Sequence, residues 1–101
     1  MAKISEVIKR TGAIVPFTPE RITNAIYRAA VEVGGRDRAM AQSLADQVIT
    51  ALEKKAAPGY RPHIEEIQDE VERVLIENGH ARVAKAYILY RDERARHRKQ
   101  Q

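Results

Sequence analysis

The 101-residue chain is 44% hydrophobic and 32% charged, has a net charge of +4 and contains no cysteine. That length supports one domain around one core, the charge density excludes a membrane-spanning stretch, and the missing cysteine excludes disulfides, thiolate catalysis and cysteine zinc sites. The positive excess suits an anionic partner, although much of it crowds into the end, RDERARHRKQQ, where a basic run is ordinarily a solvated tail.

The opening stretch MAKISEVIKR lacks the apolar core of a secretory signal, so a cytoplasmic location is expected. ISEVIKR is β-branched and partly alternating, Thr11-Gly12 signals a turn, and AIVPF resumes an extended run. Together they predict a β-hairpin whose second strand Pro16 keeps short. Thr18-Pro19 starts a helix: the threonine hydroxyl can cap free amides, proline suits the first helical position, and Glu20 suits the positive helix end. Ile22, Ala25, Ile26, Ala29, Ala30 and Val33 form its apolar stripe, and Gly34-Gly35 ends it. Asp37 caps a second helix whose core face is Ala41, Leu44, Ala45, Val48, Ile49 and Leu52. The stretch KKAAPGYRP breaks this helix and forms the longest loop, a place where mobility is expected.

After Pro62 a third helix carries Ile64, Ile67, Val71, Val74 and Leu75 on one side, and Asn78-Gly79 ends it. Its acidic residues, Glu65, Glu66, Asp69, Glu70 and Glu72, are expected to face solvent with intrahelical pairs such as Asp69 with Arg73, which leaves them without acid-base work. A fourth helix, from about His80 to the mid-nineties, spreads Val83, Ala84, Tyr87, Ile88 and Tyr90 over a wide arc with Leu89 nearly opposite. The fold class is therefore α+β, an N-terminal β-hairpin lid over a four-helix bundle.

Candidate binding residues follow from this placement. Lys9 and Arg10 sit at the end of the first strand beside a glycine turn, and strand alternation lets one of them face the helices. Such a pair can hold phosphates, lysine as a point charge and arginine as a fork, or can be ordinary hairpin surface charge. Arg21 lies at the edge of the first helix's stripe near free backbone amides that favour anions. Arg91 falls inside the apolar arc of the fourth helix and needs a partner, either a phosphate or a carboxylate from a neighbouring helix. Tyr87 and Tyr90 can stack on a base or fill core. His63, His80 and His97 lack the spacing of a metal site, and there is no Walker loop or dinucleotide glycine fingerprint.

VIKRTG followed by VPFTPERITNAI resembles the opening of the ATP-cone, a domain found in ribonucleotide reductases and in the transcriptional repressor that controls them. HIEEIQDEVERVLIENGHARVAKAYILYRDERAR resembles its closing half, most closely in anaerobic and cobalamin-dependent reductases. The resemblance implies a regulatory domain over 1–96, with 97–101 a basic tail. It also implies a site for ATP or dATP between hairpin and helices, with magnesium carried by the phosphates. Carried over by position, Val7 would touch the nucleotide through its backbone, Lys9 and Arg10 would hold phosphates, and Phe17, Ile22 and Ile67 would line the adenine pocket. Arg21 stands where related cones often have lysine. Ile64 and Gln68 replace a threonine and a histidine that relatives can carry one turn apart, so discrimination of ribose from deoxyribose would differ here. Asp92 replaces a cation of some relatives, which leaves Arg91 as the basic candidate.

The implied output is control of the activity or association of a ribonucleotide reductase catalytic domain or subunit, without chemistry by this chain. A homo-oligomer is a further possible assembly, and Leu89 and Ile76, apolar but off the main stripes, are the candidate contact residues. Two other readings stand beside this one. A nucleotide-responsive, DNA-binding transcriptional regulator would be expected to carry a cysteine zinc ribbon that this chain does not have, so nucleic acid is not the expected partner. A purely structural helical domain is the other.

Overall fold

The computed structural model describes residues 4–57 and 59–99. Pro58 and the side chains of the basic end beyond Glu93 lie outside the described residues. The hairpin pairs strand β1 (Glu6–Ile8) with β2 (Ile14–Pro16), and helices α1 (Pro19–Glu32), α2 (Arg38–Lys55), α3 (Ile64–Glu77) and α4 (Ala81–Lys99) follow. The strands are antiparallel in the register Glu6 to Pro16, Val7 to Val15 and Ile8 to Ile14. Each helix packs on two others, α1 and α3 both lying against α2 and α4. The core consists of the expected stripes: Ile22, Ile26, Ala29 and Ala30 of α1, Ala41, Leu44, Ala45, Val48 and Leu52 of α2, Ile67, Val71, Val74 and Leu75 of α3, and Val83, Ala84 and Tyr87 of α4. Ile4 and Val7 extend it beneath the hairpin. No helix among the described residues is long and apolar enough to cross a membrane.

Helix boundaries follow local chemistry with one exception. Asp37 caps α2 by accepting from the Met40 amide at 3.0 Å. Thr18 is extended at the N-cap of α1, but its hydroxyl accepts no capping bond, so Pro19 alone marks that start. Gly34 and Gly79 have φ of +90° and +80°, and each lets the next amide reach back to a carbonyl five residues earlier, Gly35 to Ala30 and His80 to Leu75, both at 2.8 Å. This 6→1 bond satisfies a carbonyl that the helix leaves free, and the left-handed backbone it requires favours glycine.

The loop between α2 and α3 ties the hairpin down. The Ile8 amide donates to the Pro62 carbonyl at 2.9 Å, Ile8 pairs with His63 in a parallel bridge, and Arg61 Nε donates to Glu6 Oε1 at 2.8 Å. These contacts join chain segments more than fifty residues apart.

The acidic face of α3 departs from expectation. Glu70 is buried, only 7% exposed, because it flanks Val74 on the helix projection, at the border of the apolar stripe. It accepts from Arg73 at 2.7 Å and from Lys55 at 3.0 Å, the latter joining α3 to the end of α2. Arg73 pairs with Glu70 and Glu77, not with Asp69, which turns towards α4 instead. The Arg73 hydrogen bond is the main cause that holds the Glu70 carboxyl below its ordinary value; burial opposes it and the Lys55 bond adds to it. A carboxyl with a depressed folded-state value contributes stability above its unfolded value, near 4.5, and loses it as pH falls through the folded one. Glu70→Gln is therefore expected to cost about 1 kcal/mol at pH 7, since its partners are half-exposed. The difference from the parent should shrink below pH 4.5, as denaturant midpoints measured from pH 7 to pH 3 will show.

Candidate nucleotide site

A cavity of about 680 Å³ opens between the hairpin and the faces of α1, α3 and α4. Its floor is apolar. Val7 and Val15, partners across the hairpin, share the face turned to the helices, and Phe17, Ile22, Ile64, Ile67 and Val71 continue that floor. Val7, Ile22, Ile67 and Val71 are buried, so these side chains belong at once to the core and to the cavity wall.

The rim is cationic. Lys9 lies two residues after Val7 and so keeps to the same side of the hairpin. It is half-buried at the cavity and has no side-chain partner among the described residues. Arg10 reaches across to α3, where Nη1 donates to Glu65 Oε1 at 2.8 Å and Nη2 to Gln68 Oε1 at 3.1 Å. Arg21 stands exposed in the first turn of α1, without a side-chain partner among the described residues. From α4, Arg91 Nη1 donates to Asp69 Oδ1 at 2.9 Å and to Glu72 Oε1 at 2.6 Å. Burial by itself would lower the Arg91 pKa; the bonds to Glu72 and Asp69 outweigh it and hold the value above the ordinary one, so this guanidinium stays charged. Tyr87 is buried, and burial pushes its phenol pKa upward despite the nearby Arg91 charge, so it is neutral at any physiological pH.

Every residue singled out from the sequence for nucleotide binding borders this one cavity: Val7, Lys9, Arg10, Phe17, Arg21, Ile22, Ile67, Gln68, Tyr87 and Arg91. Of the two partners open to Arg91, the structure supplies carboxylates, and Tyr87 is core as well as cavity wall. Both hairpin cations reach the cavity, where strand alternation had placed only one. Arg28 and Asn24 also line it and were not among the expected residues. The signal was present: Asn24 and Arg28 follow Arg21 by one and two helical turns, which places all three along one edge of α1. The carboxylates Glu65, Asp69 and Glu72 neutralise only Arg10 and Arg91, so Lys9, Arg21 and Arg28 leave the rim with surplus positive charge. No cluster of three or more potential metal ligands occurs among the described residues.

An apolar floor with a cationic rim, in a cavity within the roughly 300–1,000 Å³ of small-molecule sites, matches the two ends of a nucleotide. Comparison with known proteins points the same way. The family model for the ATP cone domain matches residues 5–96. The chain is 45% identical over 96 residues to a vitamin B12-dependent ribonucleoside-diphosphate reductase of Thermoplasma acidophilum, covering 90% of this chain and 12% of that protein. It is 43% identical over 91 residues to the enzyme of the same name from Mycobacterium tuberculosis, again covering 90% and 12%. An anaerobic ribonucleoside-triphosphate reductase of Salmonella typhimurium is 38% identical over 88 residues, covering 87% of this chain and 12% of the enzyme. The chain thus spans about an eighth of the length of these relatives. With the match running from the first strand through most of α4, the chain belongs to the ATP cone domain family.

Proposed function

We propose that this domain is an allosteric sensor of adenine nucleotide, ATP or dATP, that adjusts the activity or subunit association of a ribonucleotide reductase. ATP cones are regulatory nucleotide-binding domains of ribonucleotide reductases. The observation that carries the specific reading is the pairing, in one cavity, of an apolar floor with two cations, Lys9 and Arg21, that have no side-chain partner among the described residues. The base packs against Phe17, Ile22 and Ile67, with Val7 contributing backbone contacts, and the phosphates lie against Lys9 and Arg21. Arg10 and Arg91 join them by exchanging α3 carboxylates for phosphate oxygens. Gln68, which accepts from Arg10, responds to that exchange and meets the sugar. Magnesium arrives with the phosphates and offsets part of their charge.

The cost of breaking the contacts between Arg10 or Arg91 and α3 makes binding differ between two states of the domain. A ligand shifts such an equilibrium only by its difference in affinity for the states. The exposed Leu89 and Ile76 are the candidate contacts with a reductase catalytic domain or subunit. The test is thermal unfolding of the chain with ATP, dATP or GTP. Adenine nucleotides at a hundred times their dissociation constants are expected to stabilise the fold by about 2.7 kcal/mol, and GTP by much less. Equal or absent stabilisation by all three contradicts the reading.

A further inference from the structure

Arg28 differs from the two cavity arginines that pair with α3. Arg10 and Arg91 are ion-paired with α3, whereas Arg28 has no carboxylate partner among the described residues and rests on an uncharged group. Its guanidinium carbon lies 5.5 Å from the centroid of the Tyr90 ring, and Nη1 donates to the Tyr90 hydroxyl at 3.3 Å, a long and weak bond. A half-solvated stacking contact of this sort is weaker than a charge-assisted bond to phosphate. Arg28 also follows Arg21 by seven residues, on the same edge of α1 and about 10 Å further along the axis. A polyanion lying along this edge meets Lys9 and Arg21 at the hairpin end and Arg28 at the other.

The same two residues have a second position. Arg28 and Tyr90 line both the nucleotide cavity and a separate groove of about 450 Å³ between α1 and α4, which includes Val33, Ala86 and the exposed Leu89. They form the partition between the two spaces. When Arg28 turns towards one space, it leaves the Tyr90 ring and alters the wall of the other.

We infer that Arg28 is a further phosphate-binding residue, and that its exchange of Tyr90 for phosphate carries occupancy of the cavity to the α1–α4 groove. This rests on the proposed nucleotide site and adds to it both a ligand contact and a route to the surface. The coupling element is a side chain with two alternative partners, which is the kind of two-state device that allosteric transmission needs.

The experiment compares the parent chain with Arg28→Gln and Arg28→Lys, using ATP and adenosine as probes and methyl NMR of Leu89 as the readout of the groove. Arg28 is exposed, so all three proteins should fold alike, which circular dichroism checks. Arg28→Gln is expected to weaken ATP at least about tenfold and to leave adenosine unchanged, while Arg28→Lys recovers most of the ATP affinity. At saturating ATP the Leu89 methyl signals should shift in the parent and stay in place in Arg28→Gln. Unchanged ATP affinity in Arg28→Gln, or equal weakening of ATP and adenosine, overturns the phosphate role. Identical Leu89 shifts in the two saturated proteins overturn the coupling. If the parent binds no ATP, the underlying site fails as well; if only the variant comparison fails, the site stands without Arg28.

Discussion

Replacing Lys9 and Arg10 together with alanine is expected to weaken ATP binding at least a hundredfold while leaving the fold nearly as stable as before. Each residue removes a charge-assisted contact to phosphate worth about 1.5–3 kcal/mol, and two such losses exceed two decades in affinity. Lys9 should account for the larger share. It has no internal partner to give up among the described residues, whereas Arg10 must first leave Glu65 and Gln68. Stability is spared for a related reason: Arg10 and Glu65 form a partly exposed pair, and such pairs contribute about 0–1 kcal/mol. Calorimetric titration alongside thermal melts separates the effects. A double variant that melts as the parent does and still binds ATP as tightly would remove the hairpin cations from the site.

The largest loss of stability is expected at Leu75→Ala. Leu75 is 0% exposed on the inner face of α3, and its carbonyl accepts the His80 amide that closes that helix. Truncation removes its transfer energy and leaves a cavity in a core packed by helices on both sides, at a cost of about 3–4 kcal/mol. For a domain of this size that lowers the melting temperature by roughly 15 °C. Leu89→Ala is the control, because Leu89 is 60% exposed and its loss should stay within about 0.5 kcal/mol. Similar melting temperatures for the two variants would show that the bundle is packed differently.

The bundle was legible in the sequence because its stripes are regular. Apolar residues at helical spacing identified the buried faces of α1, α2 and α3, and Asp37, Gly34 and Gly79 marked ends through local bonds that need no tertiary information. The hairpin could be read from Thr11-Gly12 and the flanking β-branched runs, but not what holds it in place. Pro62, His63 and Arg61 meet Ile8 and Glu6 across a sequence separation that no local pattern encodes. Partner choice was hidden in the same way. Asp69 has Arg73 one turn away yet pairs with Arg91 of α4, and Arg73 takes Glu70 and Glu77. Spacing along a helix states which pairs are possible; packing of the next helix decides among them.

The cavity residues were found by two routes. Periodicity put Arg91 and Tyr87 on an inward arc and strand alternation turned a hairpin cation towards the helices, whereas Val7, Phe17, Ile22, Ile67 and Gln68 came from family resemblance. Arg28 escaped both, although it follows Arg21 by seven residues on the same helix edge, because an arginine late on a helix edge reads as ordinary solvated charge until the fold places Tyr90 beneath it. Glu70 escaped for the opposite reason. Its neighbours Glu66, Asp69 and Glu72 suggested a solvated face, whereas Arg73 together with Lys55 at the end of α2 supplies the paired charge that its burial requires.

The most direct measurement is a crystal structure of the chain grown with ATP and magnesium. Adenine should lie against Phe17, Ile22 and Ile67, with phosphates against Lys9 and Arg21 and with Arg10 drawn away from Glu65. An empty cleft with Arg10 still on Glu65, or nucleotide seated on another face, would contradict the account.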